Sequence, residues 1–155
     1  VVDIMKKRLE KALELGADGV INGKEKDAVE EVLKLTEGRG CDLAVETAGT
    51  QFTTVQTIHM TKKGSNIVLV GYSKSGEMTL PMSLVLDKEL TFKTVFRYRH
   101  IYPMAIEAVA AGKVNLKGIV TDVFPLDEVQ KAMDYSVSNK ADIVKAVIRI
   151  TDGGQ

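Results

Sequence analysis

The chain alternates short, β-branched apolar runs with amphipathic stretches of helical period, and this pattern commits it to parallel strands joined by helical crossovers. The opening run Val1-Val2-Asp3-Ile4 reads as a buried strand. It leads into a helix over about Lys6 to Leu15, with Leu9, Ala12 and Leu13 at helical spacing and Gly16 positioned to end it. Val20-Ile21 makes a short strand. A second helix spans roughly Asp27 to Leu35, where Ala28, Val29, Val32 and Leu33 face inward before Gly38 and Gly40 break the chain. Asp42 to Glu46 is the next strand, and Thr50 to Met60 the next helix, carrying Phe52, Val55 and Ile58. Lys62-Lys63-Gly64 then turns the chain into the apolar strand Ile67 to Val70, which Gly71 closes.

After a polar loop around Ser73 to Gly76, Pro81 opens a short helical turn and Leu90 to Val95 extends as a buried-looking strand. The chain changes character in the dense aromatic and basic loop Phe96-Arg97-Tyr98-Arg99-His100. A helix from about Tyr102 to Ala111 follows, with Pro103 in its first turn and Gly112 at its end. A strand near Ile119 to Phe124, a helix from about Leu126 to Tyr135 and a strand near Ile143 to Ile150 complete the pattern. With no repeat or linker to divide it, residues 1–150 are expected to form one folding unit, followed by a flexible tail at 151–155.

Composition sets the class. At 45% apolar and 27% charged residues, the chain fits disorder, collagen-like repeats and a membrane span poorly, and it should bury a real core. Its 21 basic and 21 acidic side chains cancel, leaving no overall field to draw in nucleic acid or anionic lipid. A small, neutral partner fits better. One cysteine, Cys41, makes neither an internal disulfide nor a thiolate-rich metal site, and no apolar leader opens the sequence, so a cytoplasmic location is expected. The first strand has no visible lead-in.

Several residues can carry chemistry. A strand ending in an acid, followed by a helix with a basic residue in its first turns, can clamp a ribose, and Asp3 with Arg8 has that arrangement. Equally, Asp3 can cap the helix beginning near Lys6 while Arg8 decorates its exposed face. Lys6-Lys7-Arg8 could form a nucleic-acid patch, but such a run is usually the wet side of an amphipathic helix. Two later strands end in small residues, at Thr47-Ala48-Gly49 and at Gly71, where a missing side chain lets backbone approach a ligand or simply lets the chain turn. Arg97 and Tyr98 aim a guanidinium and a phenol toward the same crevice, suited to a hydroxyl-rich ligand; alternatively, Arg97 and Arg99 are solvated and Tyr98 packs on a neighbour. His59 and His100 have no companion at metal-ligand spacing and read, like Cys41, as structural or surface residues.

The order of these signals carries a resemblance. Val-Val-Asp at 1 to 3 with Arg8, Leu-Gly-Ala-Asp at 15 to 18, Gly-Arg-Gly-Cys-Asp at 38 to 42, Glu-Thr-Ala-Gly at 46 to 49, Val-Gly at 70 and 71, and Val-Phe-Arg-Tyr at 95 to 98 resemble the medium-chain, zinc-dependent alcohol dehydrogenase superfamily. The last motif is similar to the sorbitol (polyol) dehydrogenase branch. The resemblance runs from Val1 to about Ile150 and covers only the carboxyl-terminal, cofactor-binding portion of such an enzyme.

It implies an α/β, Rossmann-type doubly wound parallel sheet that binds NAD. Asp3 and Arg8 would hold the adenine ribose, Val70, Gly71 and Tyr72 would line the cofactor, and Val95, Phe96 and Arg97 would lie along the nicotinamide side. Arg97 and Tyr98 match positions that contact the polyol. An acid at Asp3 favours NAD over NADP, whose extra phosphate would meet a carboxylate. The implied reaction passes hydride from a sorbitol-like or xylitol-like polyol to NAD, assisted by a zinc that polarises the alcohol oxygen.

The departures from the family pattern shape further expectations. The Gly-x-Gly-x-x-Gly turn that should precede Val1 and the amino-terminal catalytic domain with its zinc ligands are absent from this sequence, so the fragment alone is expected to be inactive. In the strand order 3-2-1-4-5-6 the missing first strand is central, which leaves the sheet incomplete and predicts a longer protein or another segment filling the gap. Val1 to Ile4 is therefore not expected to pair with Asp42 to Glu46. Implied partners are the polyol, the amino-terminal domain and further copies of the chain, in a dimer or tetramer joined through about Met78 to Val95. Two alternatives stay open: a non-catalytic module binding NAD or an adenosine nucleotide, and, within the family, a threonine or butanediol dehydrogenase.

Overall fold

The computed structural model describes residues 1–98 and 100–151, so Arg99 of the aromatic-basic loop and the predicted tail at Asp152-Gly153-Gly154-Gln155 lie outside the described residues. In chain order the elements are β1 (Val2–Asp3), α1 (Lys6–Glu14), β2 (Ile21–Asn22), α2 (Ala28–Leu35), β3 (Cys41–Glu46), α3 (Gln51–Met60), β4 (Thr61–Leu69), α4 (Met82–Asp87), β5 (Thr91–Thr94), α5 (Tyr102–Ala110), β6 (Asp122–Pro125), α6 (Val129–Ser138) and β7 (Ala146–Arg149), with 3-10 turns at Lys117–Ile119 and Leu126–Glu128. They gather into two compact units, one of residues 26–98 and one of residues 1–25 with 100–151.

Every pairing among the described strands is parallel: β1 with β2, β3 with β4 and β4 with β5, and β6 with β7. This is the Rossmann-type α/β pattern. Taking the first strand out of the order 3-2-1-4-5-6 leaves a pair and a triplet, which match β2-β1 and β3-β4-β5. Among the described residues β1 has β2 as its only strand neighbour and β3 has β4, so β1 does not pair with β3, as the incomplete sheet requires.

In the unit of residues 26–98, α2 starts where Asp27 accepts hydrogen bonds from the backbone N–H groups of Val29 and Glu30, at 2.8 and 3.0 Å. The core lies between β3, β4 and their helices, where Ala44, Ile58, Ile67 and Val85 pack together and Leu69, Leu80, Leu84, Leu90 and Phe92 close around them. Ile58 and Ile67 are fully buried, so truncating either to alanine should cost about 2–5 kcal/mol. Phe52, one of the apolar residues that α3 carries, is 70% exposed. The buried stripe of α3 instead runs through Thr54, Thr57 and Ile58 and on to Thr61, and Phe52 lies two residues, about 200°, around the helix from Thr54. The threonines tolerate burial because each hydroxyl donates to a carbonyl one turn back: Thr54 to Thr50, Thr57 to Thr54 and Thr61 to Thr57.

The predicted turn at Lys62-Lys63-Gly64 falls inside β4 rather than before it. Cys41 pairs with Thr61 and Leu43 with Asn66, so the extra residues of β4 bulge out of the ladder. Lys88 anchors this corner, its ammonium donating to the carbonyls of Ile58, His59 and Thr61 at 2.9, 2.6 and 2.8 Å. Burial pushes the Lys88 pKa down from the usual 10.5.

In the other unit Val2 pairs with Ile21 and Asp3 with Asn22. The opening strand is less buried than its apolar sequence implies, with Val1, Val2 and Ile4 all exposed, because a strand is covered only where neighbours flank it and β1 has one among the described residues. Helix α1 buries Leu9 but leaves Leu13 exposed. The strand expected near Ile119 to Phe124 begins later, at Asp122, because the Asn115 side chain accepts from the Gly118 N–H at 2.9 Å and tightens the preceding residues into a 3-10 turn. The helix expected from Leu126 likewise opens with a 3-10 turn after Pro125, so α6 runs from Val129 to Ser138. No described helix is long and apolar enough to cross a membrane.

Candidate functional site

Because β4 and β5 run parallel, their carboxyl ends lie side by side, tied by the Val95 N–H donating to the Leu69 carbonyl at 3.0 Å. Ligands of open α/β sheets gather at such ends. A crevice of about 750 Å³ opens here, lined by Leu69, Val70, Gly71, Tyr72, Thr94, Val95, Phe96 and Arg97. Six positions singled out from the sequence, Val70, Gly71, Tyr72, Val95, Phe96 and Arg97, are thus brought into one wall. The Tyr72 and Phe96 rings stand 6.5 Å apart at a 46° tilt, and the Arg97 guanidinium lies 5.2 Å from the centre of the Phe96 ring, within cation–π range. Arg97 adopts φ 54°, a left-handed conformation uncommon for a side-chain-bearing residue. Tyr98 follows it, largely exposed. The strand leading to this corner is not buried as expected: among Thr91 to Val95 only Phe92 is partly covered, since β4 is the one described strand beside β5.

Beneath the crevice lies a residue to which the sequence alone assigns no role. Glu46 ends β3 with 3% exposure, on the same inward face as Ala44. Its Oε1 accepts from the N–H groups of Ala48 and Gly49 at 2.9 and 3.0 Å and from the Thr53 hydroxyl at 2.8 Å, and its Oε2 from the Gly49 N–H at 3.1 Å. The Glu46 carbonyl accepts from the N–H groups of Val70 and Gly71, at 2.8 and 3.0 Å. The signal was available: an acid where strand alternation demands an apolar side chain has to be satisfied by something.

Asp3 and Arg8 lie together in the unit that holds β1. Asp3 Oδ1 accepts from the Met5 N–H at 2.8 Å, at the entry to α1, and its Oδ2 is 3.8 Å from Arg8 Nη1. One oxygen of Asp3 thus holds the turn and the other faces the guanidinium. Lys6 and Lys7 are exposed and Lys6 pairs with Glu10 at 3.8 Å, which makes them the wet face of α1.

Zinc does not fit the described residues, among which no group of three or more His, Cys, Asp or Glu side chains could hold a metal ion. Cys41 contacts Thr61, Sγ to Oγ1 3.9 Å, and His59 is exposed.

Parallel pairing, crossover helices and a crevice at the strand ends define a Rossmann-type α/β protein. Residues 1–111 match the model of the zinc-binding dehydrogenase family. The chain is 40% identical over 152 residues to the zinc-type alcohol dehydrogenase-like protein YdjJ of Escherichia coli (strain K12), covering 98% of this chain and 43% of that protein. It is 34% identical over 148 residues to the sorbitol dehydrogenase of Bacillus subtilis (strain 168), covering 96% and 42%. Among solved structures, an Escherichia coli oxidoreductase/dehydrogenase of unknown specificity superposes with a TM-score of 0.89 at 39% identity, covering 98% of this chain and 43% of that one. This chain belongs to the zinc-binding dehydrogenase family, and it spans about two-fifths of the length of these relatives.

Proposed function

We propose that the chain is the NAD-binding portion of a zinc-type polyol dehydrogenase, which oxidises a secondary hydroxyl of a sugar alcohol to a ketone. Bound NAD would supply the hydride acceptor, taking the carbon-bound hydrogen with its electron pair while the hydroxyl proton is lost, one NAD being reduced for each ketone formed. The observation that carries this reading is the crevice at the ends of β4 and β5, where two segments some twenty-five positions apart in the chain form one wall. Val70, Gly71, Tyr72, Val95 and Phe96 are assigned to the cofactor there, and Arg97 to both cofactor and substrate. Tyr98 is assigned to the polyol with Arg97.

Asp3 and Arg8 are assigned to the adenine ribose, where the carboxylate accepts from the sugar hydroxyls and repels a 2′-phosphate. Similarity to a sorbitol dehydrogenase and the Phe96-Arg97-Tyr98 run favour polyols over threonine or butanediol. Zinc would polarise the alcohol oxygen, and its ligands are assigned to sequence outside this chain, since no group of three or more ligating side chains gathers among the described residues. A homo-oligomer joined through about Met78 to Val95 is supported by β5, whose second edge is unpaired among the described residues.

The test is NAD-linked oxidation of sorbitol or xylitol by the product of the complete gene. Arg97→Ala should mainly impair polyol use, and Asp3→Ala should mainly raise KM for NAD. If both variants matched the parent in both constants, the site assignment would be wrong.

A further inference from the structure

We infer that Glu46 is a positioning residue for the cofactor: its buried carboxylate locks the turn after β3 under the turn after β4 and so fixes the wall formed by Val70, Gly71 and Tyr72. The inference rests on the NAD reading of that wall. Two turns meet at this one residue. The side chain gathers the turn after β3 through Ala48 and Gly49 and the start of α3 through Thr53, while the carbonyl holds the exit of β4 through Val70 and Gly71. The turns interlock without room to spare. A β-carbon added at Gly71 would lie 2.1 Å from the Gly49 nitrogen and 2.6 Å from Glu46 Oε2, and one added at Gly49 would lie 2.5 Å from the Tyr72 carbonyl oxygen.

Glu46 has no cation partner among the described residues, so its carboxylate is met by N–H and O–H donors alone. These donors belong to the turn and to the first turn of α3 rather than to the core, and for that reason the acid organises the crevice floor more than it stabilises the sheet. An apolar residue would fill the same inward position of β3 and leave the turn's two N–H groups without an acceptor. A glutamine would keep Oε1 for Ala48, Gly49 and Thr53 but bring an NH₂ group against the Gly49 N–H in place of Oε2, setting donor against donor.

The experiment uses the complete gene product, with NAD binding followed by fluorescence titration and by steady-state KM. For Glu46→Gln the expected result is about a tenfold weaker affinity for NAD, with KM for the polyol at saturating NAD within about twofold of the parent. Thr53→Val removes one donor to Oε1 and keeps the side-chain shape; about a threefold loss of NAD affinity is expected, and this variant decides the matter if Glu46→Gln does not fold. A folded Glu46→Gln that binds NAD like the parent would overturn the positioning role, as would an unchanged Thr53→Val where the glutamine variant is unfolded. A parent protein that fails to bind NAD at all would overturn the cofactor reading itself, and the positioning role with it.

Discussion

The backbone of Gly49 passes so close to that of Tyr72 that a β-carbon on the glycine would sit 2.5 Å from the Tyr72 carbonyl oxygen. Gly49 also adopts φ +69°, whereas Gly64, with nearly the same φ of +70°, faces open space. The two glycines separate two costs. Gly64→Ala meets only the left-handed backbone penalty, about 1–2 kcal/mol, while Gly49→Ala meets that penalty and a collision with backbone, which adds about 1–3 kcal/mol. Urea denaturation of the two variants should rank them in that order; equal losses would show that the turns after β3 and β4 can move apart freely.

Asp3 does two things at once, and they can be separated by one isosteric change. Asp3→Asn keeps an oxygen for the Met5 N–H and removes the charge that faces Arg8 and, in our proposal, the ribose. The variant should stay within about 0.5 kcal/mol of the parent in stability, because the Arg8 pair is long and partly exposed. Its preference for NAD over NADP should fall by about tenfold, measured as the ratio of kcat/KM for the two cofactors, since one charge–phosphate repulsion is relieved. Retained preference with unchanged stability would remove Asp3 from cofactor choice.

Lys88 closes the carboxyl end of α3 by donating to three carbonyls, an end that also carries the negative pole of the helix. Lys88→Met fills the same volume and supplies no donor. The expected loss is about 1–3 kcal/mol, read as a lower denaturation midpoint at unchanged slope. A neutral result would mean that water replaces the ammonium at all three oxygens.

Much of this architecture is legible in the sequence, and what is not has physical causes. The alternation of strand and helix and the glycines at the ends of α1, α2 and α5 can be read directly, because each depends on local period or local backbone preference, whereas the positions of the crevice wall follow from the family resemblance. Helical spacing of apolar residues does not reveal that Phe52 and Leu13 face solvent, because on α3 the buried stripe is made largely of threonines, whose hydroxyls are satisfied within the helix. The exposure of Val1, Val2 and Ile4 depends on which strands lie beside β1, a tertiary property that no run of residues encodes. Glu46 stands out less in the sequence than the glycine that ends its Glu-Thr-Ala-Gly motif. Its role appears only once the turn after β3 folds back so that three donors converge on the carboxylate.

The outer face of α2 offers a test of the surface electrostatics in which both partners shift consistently. Glu31 accepts from Lys34 at 2.9 Å and from Lys26 at 3.2 Å. Lys34 first, then Lys26, holds the Glu31 carboxyl below its ordinary 4.5, and Glu31 holds the Lys34 ammonium above its ordinary 10.5. The signs set two pH edges. The carboxyl, depressed on folding, contributes stability that is present above about pH 4.5 and is lost as pH falls through its lower folded value. The ammonium, raised on folding, contributes stability that is present below about pH 10.5 and is lost as pH rises through its higher folded value. The pair's contribution should therefore be flat between those edges and weaken with salt, as befits exposed charges. Carbon-detected NMR titration should find the Glu31 pKa rising in Lys34→Ala, and rising less in Lys26→Ala, because Lys34 makes the shorter contact. An identical titration in all three proteins would show that these ion pairs do not persist in solution.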